Sequence, residues 1–388
     1  MKYILTLLLS FSIHYSQGIE WEIIEQIPVG YHYVTDTNSH GDMVVGGYDL
    51  NHDYAMQMYY KQNNEDWINI PGNQAVLIMS GDVLITDTQN IYVCDFAMGL
   101  FRTNDLGDSW TDLAELTNEG CSAFNIHQSG TFFIGMTYNG IGFIHRSFDS
   151  GISWEAIPLP DYDSNYPVEH IEFDSEGNIY LGTINGIYKS TDIGENWNKV
   201  NNGLDGDHVS NIFIDDNDNI YIYTTYSAQA DGMYYSFNGA ESWVNFPIPG
   251  YYVVDIVVQD DLIMIIDDNN NIQFTENLGN TWHVAIDGLN DNSLYSLHLV
   301  QDNTVYVGGR YLHKSEGNIN ECLDMFGLDF GPCTMVLGIG YVNGECSYVS
   351  GCGWILNGIN YSDAFFDSMD ECSSACFENS FTLGDINN

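Results

Sequence analysis

An all-β chain folded as a seven-bladed β-propeller is the fold class that the sequence predicts, on three observations. Seven of the eight tryptophans recur at intervals of about 43 residues, a period typical of propellers and repeat arrays. Most of these tryptophans end a common turn-forming octet. Polar turns also alternate with β-branched and aromatic segments, which indicates strands. The seven tryptophans are Trp21, Trp67, Trp110, Trp154, Trp197, Trp243 and Trp282.

Five copies of the octet follow the pattern Ser/Thr-x-Asp/Asn-x-Gly/Ala-x-Ser/Thr/Asn-Trp, and a degenerate sixth precedes Trp67. A short Asp or Asn side chain accepts backbone N–H bonds from the turn that it begins, and Gly takes the left-handed conformation that closes it. We therefore predict structural roles, not catalytic ones, for these residues. They are Asp105, Gly107, Trp110, Asp149, Gly151, Trp154, Asp192, Gly194, Trp197, Asn238, Trp243, Asn277, Gly279 and Trp282.

A second set of turns precedes each octet, for example 174–178 and 215–219, and leads into a strand each time. We interpret them as hairpins between the two inner strands of a blade. The run Asp215-x-Asn217-x-Asn219 has the spacing of a calcium loop, but it lacks the Gly that such a loop needs. A turn is therefore favoured over a calcium site, and no metal or other cofactor is predicted.

The blade count comes from the tryptophans. Six of them, from Trp67 to Trp282, close six blades, and residues 294–315 supply three strands of a seventh. The missing outer strand is expected from the segment around Trp21, which would close the ring and remove an open sheet edge. Seven repeats of about 43 residues need about 300 residues, so we assign residues 19–320 to the propeller.

Both ends of the chain differ from the repeat. Residues 1–18 have the charged start, apolar run and small-residue ending of a signal peptide, so we expect a secreted protein, whether extracellular, on the cell surface or periplasmic. Residues 321–377 hold six of the eight cysteines and are predicted to be a disulfide-rich module, for which 15 pairings exist. Residues 378–388 are predicted to be a tail, and its last part, 384–388, resembles the first half of a calcium loop. An ordinary frayed tail is favoured over truncation of a longer protein.

Cys94 and Cys121 lie outside this module, in strands expected in neighbouring blades. A disulfide between them is the simplest interpretation, and two buried thiols are the alternative.

The octet resembles the Asp-box of the bacterial neuraminidase repeat family, whose members include sialidases, sortilin-type ectodomains and photosystem assembly factors. This resemblance implies the propeller fold, and the last two groups imply protein binding. The segment from Phe366 to Cys376 is similar to the closing helix of Kunitz-type domains, and Tyr348 to Gly353 resembles their central strand. That second resemblance implies the pairs Cys322–Cys376, Cys333–Cys352 and Cys346–Cys372. Protease inhibition is not implied, because Thr334 follows Cys333 and no basic residue lies nearby.

The charge balance excludes several functions. Eight Lys and Arg residues stand against 54 Asp and Glu, which gives a net charge of −46. A polyanion of this kind is repelled by phosphate backbones and anionic lipid, so we expect neither nucleic-acid binding nor peripheral membrane binding. No stretch after the predicted signal peptide approaches 18 uninterrupted apolar residues, so we expect no membrane insertion. The resemblance to sialidases implies a cluster of three Arg, but Arg102 and Arg146 share one repeat position with Lys189 and Lys314. Only Arg310 remains, so sialidase activity is disfavoured.

A binding protein is the function that remains. The irregular loops between repeats carry tyrosines beside Asp and Asn, a composition that suits glycan or peptide recognition. The predicted ligand-binding residues are Tyr48, Tyr54, Tyr162, Tyr166, Tyr226, Tyr251, Tyr252 and Arg310. We expect a monomer that binds a glycan or an extracellular protein. The alternative is a glycoside hydrolase acting on a neutral glycan through a pair of carboxylates facing each other in the central cleft.

Overall fold

The computed structural model describes most of the chain from residue 20 to residue 316 and four short strands beyond it. The described residues are 20–24, 27, 30–49, 55–63, 65–71, 80–96, 98–113, 120–138, 141–160, 167–205, 208–224, 232–259, 262–275, 277–285, 289, 293–300, 304–316, 335–342, 345–351, 355–356 and 359–360. They form strands and turns and no helix, so none of them belongs to a helix that could cross a membrane.

Residues Glu20–Glu316 form one compact unit of seven four-stranded antiparallel sheets, which confirms the predicted seven-bladed propeller. Blade 1 contains β2 (Gly30–Thr37), β3 (Met43–Asp49), β4 (Ala55–Lys61) and β5 (Ile68–Ile70), and blade 2 contains β6 (Ser80–Ile85), β7 (Ile91–Asp95), β8 (Gly99–Thr103) and β9 (Thr111–Asp112). Blade 3 contains β10 (Gly120–Ile126), β11 (Phe132–Tyr138), β12 (Ile141–Ser147) and β13 (Glu155–Ile157), and blade 4 contains β14 (Val168–Phe173), β15 (Ile179–Thr183), β16 (Gly186–Ser190) and β17 (Asn198–Lys199). Blade 5 contains β18 (Val209–Ile214), β19 (Ile220–Thr224), β20 (Gly232–Ser236) and β21 (Val244–Phe246), and blade 6 contains β22 (Val253–Gln259), β23 (Leu262–Asp267), β24 (Ile272–Thr275) and β25 (His283–Val284).

Blade 7 combines both ends of the propeller. Its sheet has the order β1 (Glu20–Ile23), β28 (Leu312–Glu316), β27 (Val305–Gly309) and β26 (Leu294–Leu299), with Trp21 opposite Ser315. The first strand of the chain is therefore the outer strand of the last blade, as predicted. This pairing closes the ring, because it joins the first described strand of the propeller to its last strand.

The octets form tight turns between the third and fourth strands of a blade. In blade 2 the Thr103 hydroxyl donates to Asp105 Oδ1 at 2.7 Å and accepts the N–H of Gly107 at 2.9 Å, while Asp105 accepts the Ser109 N–H at 2.9 Å. The same bonds recur in blades 3 to 6. Each turn contains two consecutive residues with positive φ, such as Leu106 and Gly107. The octet carboxylates are thus occupied by their own turns.

The tryptophans join neighbouring blades. Indole N–H groups donate to a carbonyl just after the last strand of the preceding blade in four cases, namely Trp110 to Pro71, Trp154 to Leu113, Trp243 to Val200 and Trp282 to Pro247, over 2.7 to 3.2 Å. Trp21 makes the equivalent bond to Ala285, after blade 6, at 3.0 Å. Trp197 instead donates to Gly194 in its own octet. Trp21 therefore links blade 7 to blade 6 in the same way that four octet tryptophans link their blades to the preceding ones.

Packing between blades forms the core. Each of six apolar clusters combines residues of two neighbouring blades, such as the cluster of Ile70, Val83 and Phe101 between blades 1 and 2. The inner and second strands supply most of the fully buried side chains. Apolar side chains on both faces of a blade explain why these strands are nearly continuous runs of hydrophobic residues.

A disulfide joins Cys94 in β7 to Cys121 in β10 and so links blade 2 to blade 3. It closes a segment of 27 residues, which restricts the unfolded chain. We expect the double substitution Cys94→Ser/Cys121→Ser to lower the free energy of unfolding by about 3 kcal/mol. Urea denaturation of the variant and of the wild type under non-reducing conditions measures the difference. Equal midpoints would show that the bridge contributes nothing.

Residues outside Glu20–Glu316 form a second compact unit. Its described part contains an antiparallel hairpin of β29 (Met335–Val342) and β30 (Glu345–Gly351) and a short pair of β31 (Ile355–Leu356) and β32 (Ile359–Asn360). The side chains of the six cysteines in the three Kunitz-type pairs lie outside the described part of the chain, as do residues 1–18 and 378–388. The pairing, the signal peptide and the tail stay predictions.

Candidate functional site

The propeller has two unlike ends. Successive strands of a blade are antiparallel, so the octet turns lie at the same end as the turns between the first and second strands; we name this end the octet face. The other end carries the hairpins between the second and third strands and the connections between blades, and we name it the entry face. The Asp215 turn lies on the octet face, where its carboxylate accepts the N–H groups of Asn217 and Asn219. That carboxylate holds the turn, as predicted.

The predicted ligand-binding residues that the structure describes lie at the entry face. Tyr251 and Tyr252 lie between blades 5 and 6 and are 82% and 45% exposed. Arg310 is exposed in the hairpin between β27 and β28. Tyr48 lies in β3, with its side chain outside the described set. Four further tyrosines, Tyr54, Tyr162, Tyr166 and Tyr226, lie outside the described residues. The structure therefore places two of the tyrosines side by side and leaves the wider cluster a prediction.

The basic residues of the repeat are part of the framework. Arg146 in blade 3 donates to the Ile193 carbonyl and to Glu195 Oε1 in the octet of blade 4, and it also pairs with Glu155. Lys189 in blade 4 donates to the Gly239 carbonyl in the octet of blade 5 at 3.0 Å. Each basic side chain thus reaches the next octet, on the face opposite the entry face. A sialidase-type cluster of arginines does not form from these residues.

The inner strands bring a different set of side chains to the axis. Each of the seven contains an irregularity of register at the same place, such as between Val168 and His170 or between Val253 and Asp255. These bulges change the direction of the strand near the entry face. The residues directly after the bulge are Val34, Asp82, Ala123, His170, Asn211, Asp255 and Ser296. Two positions further on lie Asp36, Leu84, Asn125, Glu172, Phe213, Val257 and His298.

The charges of several of these side chains influence one another across the channel. Asp36 in blade 1 interacts with Glu172 in blade 4, and Asp82 in blade 2 interacts with His170 and Glu172. Asp255 in blade 6 interacts with His170. Blades 1 and 4, 2 and 4, and 4 and 6 are not neighbours, so these charges face one another over the axis. We name this group, Asp36, Asp82, His170, Glu172 and Asp255, the channel cluster.

The cluster is held by short hydrogen bonds. Asp36 Oδ2 accepts the N–H of Ile85 in the next blade at 2.7 Å, and Asp255 Oδ2 accepts the N–H of Leu297 in the next blade at 2.8 Å. His170 Nε2 lies 3.1 Å from Glu172 Oε1. These two side chains keep 27% and 32% exposure, so solvent reaches a site that protein surrounds on all sides. The site is therefore preformed and accessible through the channel.

Burial in this narrow channel raises the pKa of all three aspartates. The pKa of Asp36 rises to about 8, through burial and then through the charges of Asp82 and Glu172, against the opposing bond from Ile85. Burial likewise raises the pKa of Asp82 and of Asp255 to about 6, although the nearby His170 partly offsets it. Carboxyl groups that hold protons near neutral pH are uncommon outside functional sites.

The pKa values of the two channel histidines shift in opposite directions. Burial disfavours the charged form of His170, but its bond to Glu172 and the charges of Glu172, Asp82 and Asp255 outweigh burial and raise its pKa. Burial alone lowers the pKa of His298 to about 4; the ring lies 2.9 Å from the Thr37 hydroxyl across the blade 7 and blade 1 junction. The channel thus favours the charged form of His170 and the neutral form of His298.

Stability should depend on pH through this cluster. Folded Asp36 keeps its proton up to about pH 8, whereas the unfolded chain loses it near 3.8. The folded state therefore holds the extra proton, and the free energy of unfolding falls as pH rises. From pH 6.5 to 8 His170 acts in the same direction, since its pKa is raised above 6.5. Asp82, Asp255 and His298 titrate mainly below this range.

We expect the free energy of unfolding to drop by on the order of 1–2 kcal/mol between pH 6.5 and 8. The variant Asp36→Asn keeps an acceptor for the Ile85 N–H and should lose most of that drop. Urea denaturation of both proteins at the two pH values measures it. A wild type that becomes more stable as pH rises would contradict the assignment.

Sequence reasoning missed the channel cluster, although a signal for it existed. Once the repeats are aligned on the octets, charged or amide residues occupy the first strand of nearly every blade, where other strands are apolar. The bulge decides which of these residues face the axis, and a bulge leaves no clear mark in sequence. Among the described residues no group of three His, Cys, Asp or Glu side chains could hold a metal ion.

No protein-family model matches the chain, and no curated protein matches it in sequence. Its fold is similar to several solved structures. YCF48 bound to a D1 peptide superposes with a TM-score of 0.54 at 12% identity, over 76% of this chain and 96% of that one. Virginiamycin B lyase from Staphylococcus aureus gives 0.58 at 11%, over 76% and 98%. A GH74 enzyme from Niastella koreensis gives 0.54 at 14%, over 75% of this chain and 53% of the enzyme.

These likenesses establish the fold alone, because the identities are low. The matched part of this chain corresponds to about half of the GH74 chain, so that enzyme contains much that has no counterpart in the match. The neighbours include a protein with a bound peptide, a lyase and a GH74 enzyme. The fold therefore does not by itself indicate one function. The chain is a seven-bladed β-propeller whose inner strands carry acidic side chains near the axis.

Proposed function

We propose that this protein is a secreted binding protein that takes part of a glycan or of an extracellular protein into the entry face of its propeller. The observation that carries the proposal is the channel cluster, which presents preformed hydrogen-bonding side chains from blades 1, 2, 4 and 6 at one accessible site. Tyr251 and Tyr252 lie on the same face and add exposed aromatic surface. Such a combination of a polar site and exposed tyrosine suits ligand recognition.

The proposal includes assignment of the repeat to the Asp-box class. The octet bonds support it, because a hydroxyl and an Asp or Asn side chain hold the same turn in five blades, with glycine at the closing position in four of them and Ala240 in the fifth. YCF48, which has a similar fold, is known with a D1 peptide bound, and this favours a protein ligand. The disulfide between Cys94 and Cys121 supports an oxidising compartment and hence export. A Kunitz-like module and a monomeric state complete the proposal.

A glycoside hydrolase is the second candidate, and one observation favours it. Asp36, with a pKa of about 8, faces carboxyl groups that ionise at lower pH, such as Asp82 with a pKa of about 6. Hydrolases use such a pair, with a protonated acid and an ionised base or nucleophile. The fold likeness to GH74 enzymes accords with this candidate.

A glycan and peptide array probed with the purified protein, followed by a hydrolysis screen of every ligand found, separates the two candidates. The binding proposal predicts stable complexes and unchanged ligand after prolonged incubation. Turnover that Asp36→Asn abolishes would replace it with the hydrolase. An array with no ligand at all, glycan or peptide, would contradict both.

A further inference from the structure

We propose that the entry end of the junction between blades 2 and 3 is a docking surface for a basic polypeptide segment, which contacts it through apolar side chains. The surface consists of Phe96 and Met98, in the hairpin between β7 and β8, and of Phe143 in β12. We name these three residues the junction patch. The inference rests on the proposed binding function, and it narrows the ligand to a protein and locates its contact on the entry face.

The hairpin of the junction patch lies at the entry end of the apolar cluster between blades 2 and 3. Cys94 and Leu100 are opposite each other in β7 and β8, and both belong to that cluster. The hairpin that carries Phe96 and Met98 closes one residue beyond this pair. The apolar junction between the two blades therefore continues to the surface of the entry face.

Phe143 reaches the same end of the junction from blade 3. It lies two residues after the start of β12, the end of that strand at the entry face. Its partner across the sheet, Met136, is fully buried in the cluster between blades 2 and 3, whereas Ile144 packs in the cluster between blades 3 and 4. Because side chains alternate between the two faces of a strand, Phe143 lies on the face of blade 3 that is turned to blade 2.

The junction patch is exposed, unlike the equivalent hairpins of other blades. Phe96, Met98 and Phe143 are 46%, 37% and 36% exposed. The described hairpins at the same place in blades 4, 6 and 7, residues 184–185, 268–271 and 310–311, are mostly polar, and none of them exposes a large apolar side chain. Exposed apolar side chains that cluster in a highly charged chain mark an interaction site.

The patch is also held in place before any partner arrives. The buried Asp95 accepts the backbone N–H of Met98 with its Oδ1 at 2.9 Å and so fixes the hairpin. Cys94, two residues before Phe96, is bonded to Cys121 of blade 3 and fixes the junction beneath it. A surface of this kind loses little conformational freedom when it binds, which favours affinity.

Charge and chemistry together point to a basic polypeptide. The net charge of −46 attracts a basic partner and repels anionic lipid and a second copy of this chain. The described basic residues of blades 2 and 3, Arg102 and Arg146, directly precede octets at the opposite face. The side chains of the patch carry no hydrogen-bonding group, so they suit the apolar side chains of a protein better than the hydroxyl groups of a sugar.

The experiment uses the full-length protein and three families of short synthetic peptides in fluorescence anisotropy at physiological ionic strength. The first family combines Phe and Leu with Lys and Arg. The second keeps the apolar residues and replaces the basic ones by Asp and Glu, and the third keeps the basic residues and replaces the apolar ones by Ser. We expect the first family to bind and each of the others to bind at least about tenfold more weakly, because they lose the charge attraction or the apolar contact.

The double variant Phe96→Ser/Met98→Ser locates the site and should weaken binding of the first family at least about tenfold. It changes only exposed side chains and keeps the backbone bond to Asp95, so the fold should survive. The matched control Phe148→Ser/Ile152→Ser removes two side chains that are 61% and 85% exposed in the octet of blade 3, and it should bind as the wild type does. Phe143→Ala is a second variant, independent of the hairpin, and should weaken binding several-fold.

Unchanged affinity in both the hairpin variant and Phe143→Ala would overturn the inference, as would equal binding of the three peptide families. Binding of phosphatidylcholine vesicles or self-association that the hairpin variant abolishes, with no peptide bound, would also overturn it and assign the patch to a lipid surface or a second copy. A glycan that binds the hairpin variant as tightly as the wild type, with no peptide bound, would overturn it and leave the proposed binding function intact.

Discussion

Trp21→Ala should lower the free energy of unfolding of the propeller by about 3–5 kcal/mol, the largest effect that we expect from a single side chain. Trp21 is 5% exposed and donates its indole N–H to the Ala285 carbonyl at the end of blade 6. It lies on the strand that completes blade 7. Its removal therefore leaves a cavity and an unpaired buried carbonyl where the closing strand packs against blade 6.

Trp21→Phe is the matched control, since it keeps most of the apolar volume and removes only the hydrogen bond. We expect it to cost about 1 kcal/mol. Thermal and urea denaturation of both variants measure the two effects. If Trp21→Ala lowered the free energy of unfolding no more than Trp21→Phe, packing of the Trp21 side chain would not stabilise the closed ring.

Gly107→Ala should destabilise the protein by about 2–5 kcal/mol through two separate mechanisms. Gly107 has a φ of +90°, where an L side chain is strained by about 1–2 kcal/mol. An added Cβ would also lie 2.4 Å from Ile70 Cγ2 and 2.6 Å from the Pro71 carbonyl oxygen in blade 1. Because the second contact is with backbone, the two blades would have to separate, at a further cost of about 1–3 kcal/mol.

Gly130→Ala separates the two mechanisms. Gly130 has a φ of +84°, but a Cβ there would meet no atom within 4 Å. This control should show the conformational strain alone, about 1–2 kcal/mol. A similar loss of stability in both variants would mean that the octet turn does not pack against the preceding blade as tightly as the structure shows.

The parts of the fold that repeat could be predicted from the sequence. The octet needs specific residues at fixed positions, because Asp105 must accept the bonds of its turn and Gly107 must lie against blade 1. The same requirements recur around the ring and place the tryptophans at a steady period. Closure by the strand of Trp21 followed from counting strands, since blade 7 has only three of its own.

The candidate site could be predicted only in part. Its position on the entry face followed from the repeat, and Tyr251 and Tyr252 do lie there in exposed positions. The channel cluster did not follow, because charged residues are abundant in this chain and sequence does not show which of them cross the axis. Asp36 and Glu172 are far apart in the chain and meet only because seven blades close into a ring.

The acidic residues of the chain include two groups with different environments in the structure. Octet carboxylates such as Asp105 and Asp149 lie at the surface and are bonded to their turns, and hydrogen bonds from Ser109 and Ser153 lower their pKa. Channel carboxyl groups such as Asp36 are surrounded by protein, and their pKa is raised. The octet carboxylates stabilise the fold, whereas the channel carboxyl groups make the axis attractive to a hydrogen-bond donor or a cation. Net charge alone does not separate the two.

Hydrogen–deuterium exchange with the strongest ligand of the arrays is the most direct test that the protein binds through its entry face and channel. One edge of each inner strand faces the axis, so a ligand there should slow exchange in β6, β14 and β26 and in the segment around Tyr251. The octet turns, including that of Asp105, should exchange as in the free protein. Protection confined to the octet turns, with none in the inner strands, would contradict the account.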